Sequence, residues 1–86
     1  MTVKREKDSL IVDIHGMRVT DAQFRLETLI ASCGADVRLI CVIHACNRGQ
    51  ALRGMVRALR SPRLQKVCPD FFNDGQTILY LKQVTG

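Results

Sequence analysis

The segment over residues 37–43, VRLICVI, constrains the fold more than any other part of the chain. It is apolar at every position except Arg38, so a strand formed here is apolar on both of its faces. Such a strand is stable only when it is covered or paired on most sides, as in the centre of an α/β sheet. The segment therefore predicts a central strand, and its uncharged run, residues 39–43, is too short to span a bilayer.

A second strand is predicted over residues 10–15, because these residues alternate between two faces. The first face holds Leu10, Val12 and Ile14, and the second holds Ile11, Asp13 and His15. Since Asp13 and His15 are two positions apart, their Cα atoms are expected roughly 6.6 Å apart on the same face. Gly16 then breaks the strand. The spacing predicts that both side chains can reach one ligand.

A helix is predicted over residues 21–33, between these two strands. Thr20 is the expected N-cap of a capping box, and Val19 is expected to pack against Phe24 as a hydrophobic staple. Gly34 stands where a left-handed C-cap is expected. Apolar residues at spacings of three and four form one stripe of Ala22, Leu26, Leu29, Ile30 and Cys33.

The second half of the chain predicts one more helix and two more strands. The helix covers residues 51–60, and the strands cover residues 66–68 and 77–81, with a turn at residues 73–75. Pro69 cannot donate a backbone hydrogen bond, so the strand that it ends is expected to be short and at an edge of the sheet.

The predicted order is therefore βαβαββ in an α/β fold. At 86 residues the chain is too short for two cores, so residues 1–8 are expected to be a polar tail and residues 9–86 one domain. Strands joined through helices are expected to be parallel, which brings His15 and His44, each at the end of its strand, to one rim. Ligands of open α/β sheets usually bind beyond this rim.

Localisation is predicted from the chain start and the cysteines. The polar start, MTVKREKDS, lacks the pattern of a secretory signal. The cysteines form no CxxC pair, which favours reduced thiols. We therefore expect a cytoplasmic protein with no membrane segment. The spacing of Cys41, His44 and Cys46 is a weak zinc pattern, because Cys41 and His44 point to opposite faces of a strand.

Positive charge is concentrated in one region of the chain. The net charge is +5, and residues 37–69 contain no Asp or Glu. On the second helix, Arg53, Arg57 and Arg60 form a basic stripe with no acidic partner in that helix. A solvated face is the ordinary interpretation of such a stripe, but the missing partner favours phosphate binding. The predicted nucleic-acid-binding residues are Arg48, Gly49, Arg53, Arg57, Arg60, Arg63 and Lys66.

The loop over residues 45–50 leads into this helix. Backbone N–H groups and the helix dipole favour an anion there, Gly49 permits close approach, and Arg48 and Arg53 flank the position. The aromatic residues do not interleave with the basic ones in sequence, which favours recognition of the nucleic-acid backbone over base stacking.

Asp13 and His15 are the main candidates for chemistry. A His at the rim can act as a general base or contact a phosphate, and the Asp can orient it or hold a divalent metal through oxygen. The spacing alone slightly favours a structural interpretation, in which Asp13 caps a loop and His15 is an ordinary residue at the end of a strand.

Residues 12–16, VDIHG, resemble the L-D-x-H-G motif of the Smr (small MutS-related) domain, and the resemblance extends over residues 9–82. A second Smr motif, H-G-x-G or T-G-x-G followed by a glycine and L-R, is kept at His44, Gly49, Leu52 and Arg53. Ala45 and Asn47 stand in place of its two glycines. A Cβ at Ala45 disfavours positive φ and crowds a close phosphate.

The resemblance implies a two-layer α/β sandwich, similar to the C-terminal domain of bacterial translation initiation factor three. Its mixed four-stranded sheet would have three parallel strands, one antiparallel strand and both helices on one face. Smr domains bind nucleic acid, and several nick DNA or cleave RNA with the Asp and His of the first motif. The resemblance thus implies catalytic roles for Asp13 and His15 and a phosphate-facing loop from His44 to Gly49. His44, which ends the neighbouring strand at the same rim, is a further candidate catalytic residue, and Mg²⁺ or Mn²⁺ is a candidate cofactor.

Three functions are compatible with these features. The first is a nucleic-acid-binding Smr domain with endonuclease activity, which the intact first motif favours. The second is a binding module without cleavage, which the altered second motif favours. The third is a protein-interaction domain whose basic face meets an acidic partner, and it explains the Asp13 and His15 pair least well.

Overall fold

The computed structural model describes residues 1–45 and 50–83. The element order is ββαβαββ. The elements are β1 (Thr2–Glu6), β2 (Ser9–Asp13), α1 (Val19–Ser32), β3 (Leu39–Ile43), α2 (Gln50–Arg57), β4 (Leu64–Pro69) and β5 (Gln76–Leu81). Within the described ranges, neither helix is long and apolar enough to cross a membrane.

The strands form one mixed sheet in the order β1-β2-β3-β5-β4. β2 and β3 are parallel, and every other neighbouring pair is antiparallel. Since β5 is antiparallel to both β3 and β4, the strands β2, β3 and β4 all run in one direction. Their carboxyl ends therefore share one edge of the sheet. β4 lies at an outer edge, as Pro69 predicts, but with six residues it is not the short strand expected.

The core lies between one face of the sheet and the two helices. The alternate residues of β2, β3 and β5 that face it are almost fully buried, as are the inner residues of α1 and α2. The buried side chains of the sheet include Leu10, Val12, Ile40, Val42, Leu79 and Leu81, and those of the helices include Ala22, Leu26, Ile30, Leu52 and Val56. The opposite face of the sheet, which includes Ile11, Cys41 and Ile78, is only half-buried. The α/β prediction is thus confirmed as a small domain with both helices packed on one core.

The prediction of four strands is wrong, because the expected polar tail contains β1. All five residues of β1 are exposed, so side-chain burial does not form this strand. It forms because its backbone pairs with the edge of β2 in an antiparallel hairpin. Lys7 has a φ of 54° in the turn, a conformation for which Gly or Asn is the usual signal. The sequence did not predict this strand, because its turn lacks Gly or Asn and its apolar residues do not alternate.

The predicted caps of α1 are also wrong. The helix begins at Val19, its N-cap Arg18 makes no side-chain cap hydrogen bond, and Phe24 is 72% exposed rather than packed as a staple. Gly34 does not adopt positive φ. Instead, the guanidinium of Arg63 donates hydrogen bonds to carbonyl groups at the end of the helix, which are those of Ile30, Cys33 and Gly34. A cation beside these carbonyls stabilises the helix end.

Candidate functional site

A cleft of about 720 Å³ opens at the edge of the sheet where β2 and β3 end. Its lining includes both histidines of the chain, as the parallel arrangement of the two strands predicts. The loops after β2 and β3 and the first residue of α1 also line it. Further lining residues come from the start of α2 and from the turn between β4 and β5, and they include Ala51, Leu52, Asn73, Gly75 and Gln76. The cleft is therefore built by three loops at one edge of the sheet.

Asp13 and His15 form a hydrogen-bonded pair at this edge. The Nδ1–H group of His15 donates to Asp13 Oδ1 at 2.5 Å, and the backbone N–H of His15 donates to the same oxygen at 3.0 Å. Partial burial raises the pKa of Asp13, but these hydrogen bonds and the charge of His15 outweigh it, so the net pKa lies below the usual value. Asp13 is therefore ionised at neutral pH.

This geometry fixes the tautomer of His15. A carboxylate oxygen can only accept, so Nδ1 carries the proton and Nε2 of the neutral ring carries the lone pair. The His15 side chain is 67% exposed, which leaves the ring accessible to a substrate. The arrangement is that of a general base oriented by a carboxylate. The structural interpretation also holds in part, because Asp13 caps the loop through the N–H of His15.

His44 has a different environment, because it is only 1% exposed. Burial lowers its pKa, as do the charges of Arg57 and Arg53, while its hydrogen bond to Ala45 acts in the opposite direction. The neutral ring has one N–H group, and Nδ1 donates it to the carbonyl oxygen of Ala45 at 3.2 Å. Nε2 then accepts from the hydroxyl of Thr77 at 2.8 Å. Both ring nitrogens of His44 thus have partners within the protein.

Thr77 connects His44 to helix α2. Its side chain is fully buried, and its hydroxyl oxygen accepts a long hydrogen bond of 3.4 Å from Nε of Arg57. Sequence reasoning missed this residue, since a Thr within a predicted strand carries no separate signal. The resulting chain of Arg57, Thr77 and His44 joins α2, β5 and the end of β3.

The loop after β3 has a positive φ at Ala45, a backbone conformation that the Cβ of alanine disfavours. Ala45 has a φ of 66°, in the left-handed region, at the position where the Smr motif that the sequence resembles has a glycine. Two hydrogen bonds hold it there, because the carbonyl of Gly75 accepts from the N–H groups of His44 and Ala45 at 2.9 and 3.1 Å. A Cβ at position 75 would lie 3.3 Å from Ala45 Cα, so glycine permits this close approach. Arg48 and Gly49, both predicted to bind phosphate, lie outside the described residues.

The arginines of α2 have an acidic partner that the sequence did not reveal. Arg53 Nη1 donates to Asp74 Oδ2 at 2.9 Å, and Arg57 Nη2 lies 3.9 Å from Asp74 Oδ1. Asp74 belongs to the turn between β4 and β5, which explains why a search within the helix found no acid. Elsewhere in the basic region, Arg38 pairs with Asp8 at 3.5 Å. The predicted excess of positive charge is thus partly neutralised across the fold.

The remaining predicted basic residues do not share one surface. Arg60 lies beyond the end of α2, which stops at Arg57 rather than at residue 60. Arg63 caps α1. Lys66 lies 4.8 Å from the ring centre of Tyr80, on the sheet face opposite the helices. Of the five predicted residues that are described, only Arg53 and Arg57 lie beside the cleft.

The described residues contain no group of three or more His, Cys, Asp and Glu side chains that could hold a metal ion. Cys41 lies on the half-exposed sheet face while His44 is buried in the core, as strand alternation predicts, and Cys46 lies outside the described residues. Mg²⁺ needs only one or two carboxylates when substrate phosphates supply further oxygens. Asp13 fits that limited role.

Comparison with protein-family models, with curated proteins and with solved structures found no match to this chain. The functional assignment therefore depends on the geometry of the cleft and on the motifs in the sequence.

Proposed function

We propose that this chain is an Smr-like nucleic-acid-binding domain in which Asp13 and His15 support cleavage of a phosphodiester bond. One observation carries the proposal: Asp13 orients an exposed His15 at the mouth of a cleft. Apart from β1, the sheet has three strands that run in one direction and an antiparallel final strand, β5, and the Smr resemblance implies the same strand directions.

In the proposed reaction, His15 Nε2 accepts a proton from the attacking hydroxyl, which belongs to water or to an RNA 2′-OH. The new O–P bond forms as the bond to the leaving oxygen breaks, and the expelled alkoxide takes a proton from solvent water. Asp13 keeps Nδ1 protonated and stabilises the imidazolium that results. A bound Mg²⁺ or Mn²⁺ would neutralise charge on the phosphate.

Arg53 and Arg57 are the proposed phosphate contacts. Their side chains are 28% and 30% exposed, and both guanidinium groups face Asp74 in the turn that borders the cleft. Arg57 Nη2 is buried without a hydrogen-bond partner among the described residues. A buried donor without a partner is costly, and a phosphate oxygen is a strong acceptor for it.

The decisive test measures cleavage of supercoiled plasmid and of structured RNA, with and without Mg²⁺ or Mn²⁺. His15→Ala removes the proposed base, and Asp13→Asn keeps an oxygen for the loop cap while it removes the charge. Cleavage should fall at least about 100-fold in each variant, the usual effect of losing a general base. Glu27→Gln, an exposed change on α1, is the control and should cleave normally.

Binding without cleavage is the second candidate function, and one observation favours it. Ala45 carries a Cβ where the family motif has glycine, so a phosphate is expected to approach this loop less closely. Wild-type protein that binds nucleic acid but cleaves nothing in any metal selects this function. Cleavage that survives both Asp13→Asn and His15→Ala would mean that the catalytic residues lie elsewhere.

A further inference from the structure

The turn after β4 exposes two adjacent aromatic rings. Phe71 and Phe72 are 91% and 93% exposed, and their ring centres lie 5.2 Å apart in an edge-to-face arrangement of 79°. Isolated exposed apolar side chains are common, but an aromatic pair that contributes nothing to the core calls for an explanation outside folding. In this arrangement one ring presents its edge to its neighbour, which leaves ring faces available for another flat group.

Polar side chains of the turn hold this pair in place. Asp70 Oδ1 accepts from the N–H of Phe72 at 3.0 Å, and Asn73 Oδ1 accepts from the N–H of Gly75 at 2.9 Å. The backbone N–H of Asp70 also donates to the carbonyl of Gln76 at 3.2 Å. The two aromatic residues therefore stand on a hydrogen-bonded turn, which lowers the entropy lost when a ligand binds.

The turn lies at the same edge of the sheet as the candidate site. β2 and β4 run in the same direction, and three inter-strand steps separate them. At about 4.8 Å per step, the end of β4 lies roughly 14 Å from Asp13. The same turn contributes Asp74, which contacts Arg53, and Asn73, which lines the cleft. The fold thus places the turn that carries the aromatic pair against Arg53 of α2, although the two segments are separate in sequence.

We propose that Phe71 and Phe72 form a stacking site for an unpaired nucleobase, so that the preferred substrate has single-stranded or looped nucleotides near the cleavage point. This inference rests on the proposed function. Every base has a flat π face, so stacking needs no particular sequence, but a base within a duplex is already stacked on both sides. Arginine contacts to phosphate beside an aromatic pair are the usual combination in single-strand recognition.

The test compares two probes by fluorescence anisotropy: a hairpin with an unpaired loop and a fully paired duplex of the same length. The double variant Phe71→Ala/Phe72→Ala should weaken binding of the hairpin by roughly five- to a hundred-fold, the range for losing one stacked base. Duplex affinity should change less than about twofold. Since both rings are almost fully exposed, the variant is expected to fold normally, which circular dichroism checks.

Phe24→Ala is the matched control, because Phe24 is 72% exposed and lies on α1 rather than on the turn. It should leave the affinity for both probes unchanged. A second measurement places 2-aminopurine in the loop of the hairpin. Wild-type protein should quench its fluorescence by stacking, and the Phe71→Ala/Phe72→Ala variant should not.

Three outcomes would overturn the inference. Equal effects of the double variant on hairpin and duplex, or no effect on either, would reject the stacking site while leaving nucleic-acid binding intact. Binding of wild-type protein to phosphatidylserine vesicles that the double variant loses would assign the aromatic pair to a membrane surface. Failure of wild-type protein to bind either probe would reject the proposed function itself. The test therefore distinguishes failure of the stacking site from failure of the proposed function.

Discussion

The two histidines of this chain end neighbouring parallel strands, yet they have opposite environments. The side chain of His15 is 67% exposed and contacts a carboxylate, whereas His44 is 1% exposed and contacts Thr77. The difference follows from strand alternation. His44 continues the buried series Ile40 and Val42, while His15 continues the half-exposed series that contains Asp13.

This contrast separates two roles at one cleft. His15 has an oriented Nδ1 and an accessible ring, which suits proton transfer. Both nitrogens of His44 are engaged within the protein, which suits holding the loop that follows β3. The sequence predicted catalytic roles for both residues. The geometry favours His15 for the proton transfer and His44 for positioning the loop.

The largest expected effect is on stability. His44→Ala removes a buried ring and leaves Thr77 without its partner, so the free energy of unfolding should fall by about 3 kcal/mol. His15→Ala removes an exposed ring and should cost less than about 1 kcal/mol. Urea unfolding of both variants and the wild type measures these values. A similar loss in the two variants would remove the distinction between the histidines.

Thr77→Val should be the next most damaging change. Valine fills the same volume but cannot donate to His44 Nε2 or accept from Arg57 Nε. We expect a loss of about 2 kcal/mol in urea unfolding, since two buried polar groups lose their partner. Thr20→Val, an exposed change on α1, is the control and should have little effect. A neutral Thr77→Val would mean that the His44 network adds no stability.

Asp74→Asn tests whether the ion pair restrains the arginines beside the cleft. Stability should fall by less than about 1 kcal/mol, because the carboxylate is largely exposed. Duplex affinity should rise several-fold as Arg53 and Arg57 become available for phosphate. The slope of log affinity against log salt should steepen by roughly 0.9 for each added phosphate contact.

The matched control for this change is Asp21→Asn, which removes the same charge from the first turn of α1. It should raise affinity only slightly, through net charge. Equal salt slopes in the two variants would show that Arg53 and Arg57 do not contact the nucleic acid.

The sequence predicts β2 because its residues alternate between two faces, and it predicts β3 because this segment is a short, continuous apolar run. It misses β1, because backbone pairing rather than burial forms that strand. The spacing predicts that Asp13 and His15 share one face, and the two side chains are hydrogen-bonded. The sequence nevertheless treats His44 as an equivalent residue. Counting alternate positions back from His44 to Val42 would have placed it in the core.

Contacts between distant residues account for the other errors. Asp74 lies 21 positions from Arg53, and Arg63 lies 33 positions from Ile30, so no local pattern links either pair. The predicted binding surface combined basic residues that are close in sequence, and the fold separates them. Pairing across the sheet and between helix ends, which local periodicity does not encode, decides which cations remain available.

The smallest expected effect, and the most direct comparison of the two histidines, is the dependence of stability on pH. The folded-state pKa of His44 lies below its usual value of 6.5, because burial and the charges of Arg57 and Arg53 disfavour the protonated ring. The hydrogen bond to Ala45 and the charge of Asp74 act in the opposite direction but do not outweigh these effects. Below about pH 6.5 the unfolded chain therefore binds the proton first. The contribution of His44 to stability is complete above that pH and declines as the pH falls toward the folded-state pKa.

Urea unfolding between pH 7.5 and about pH 5, where carboxylates stay ionised, should show this decline in the wild type and in His15→Gln. His44→Gln, whose amide can still bond to Thr77, should flatten it, and a decline that persists in His44→Gln would assign the proton uptake to another group.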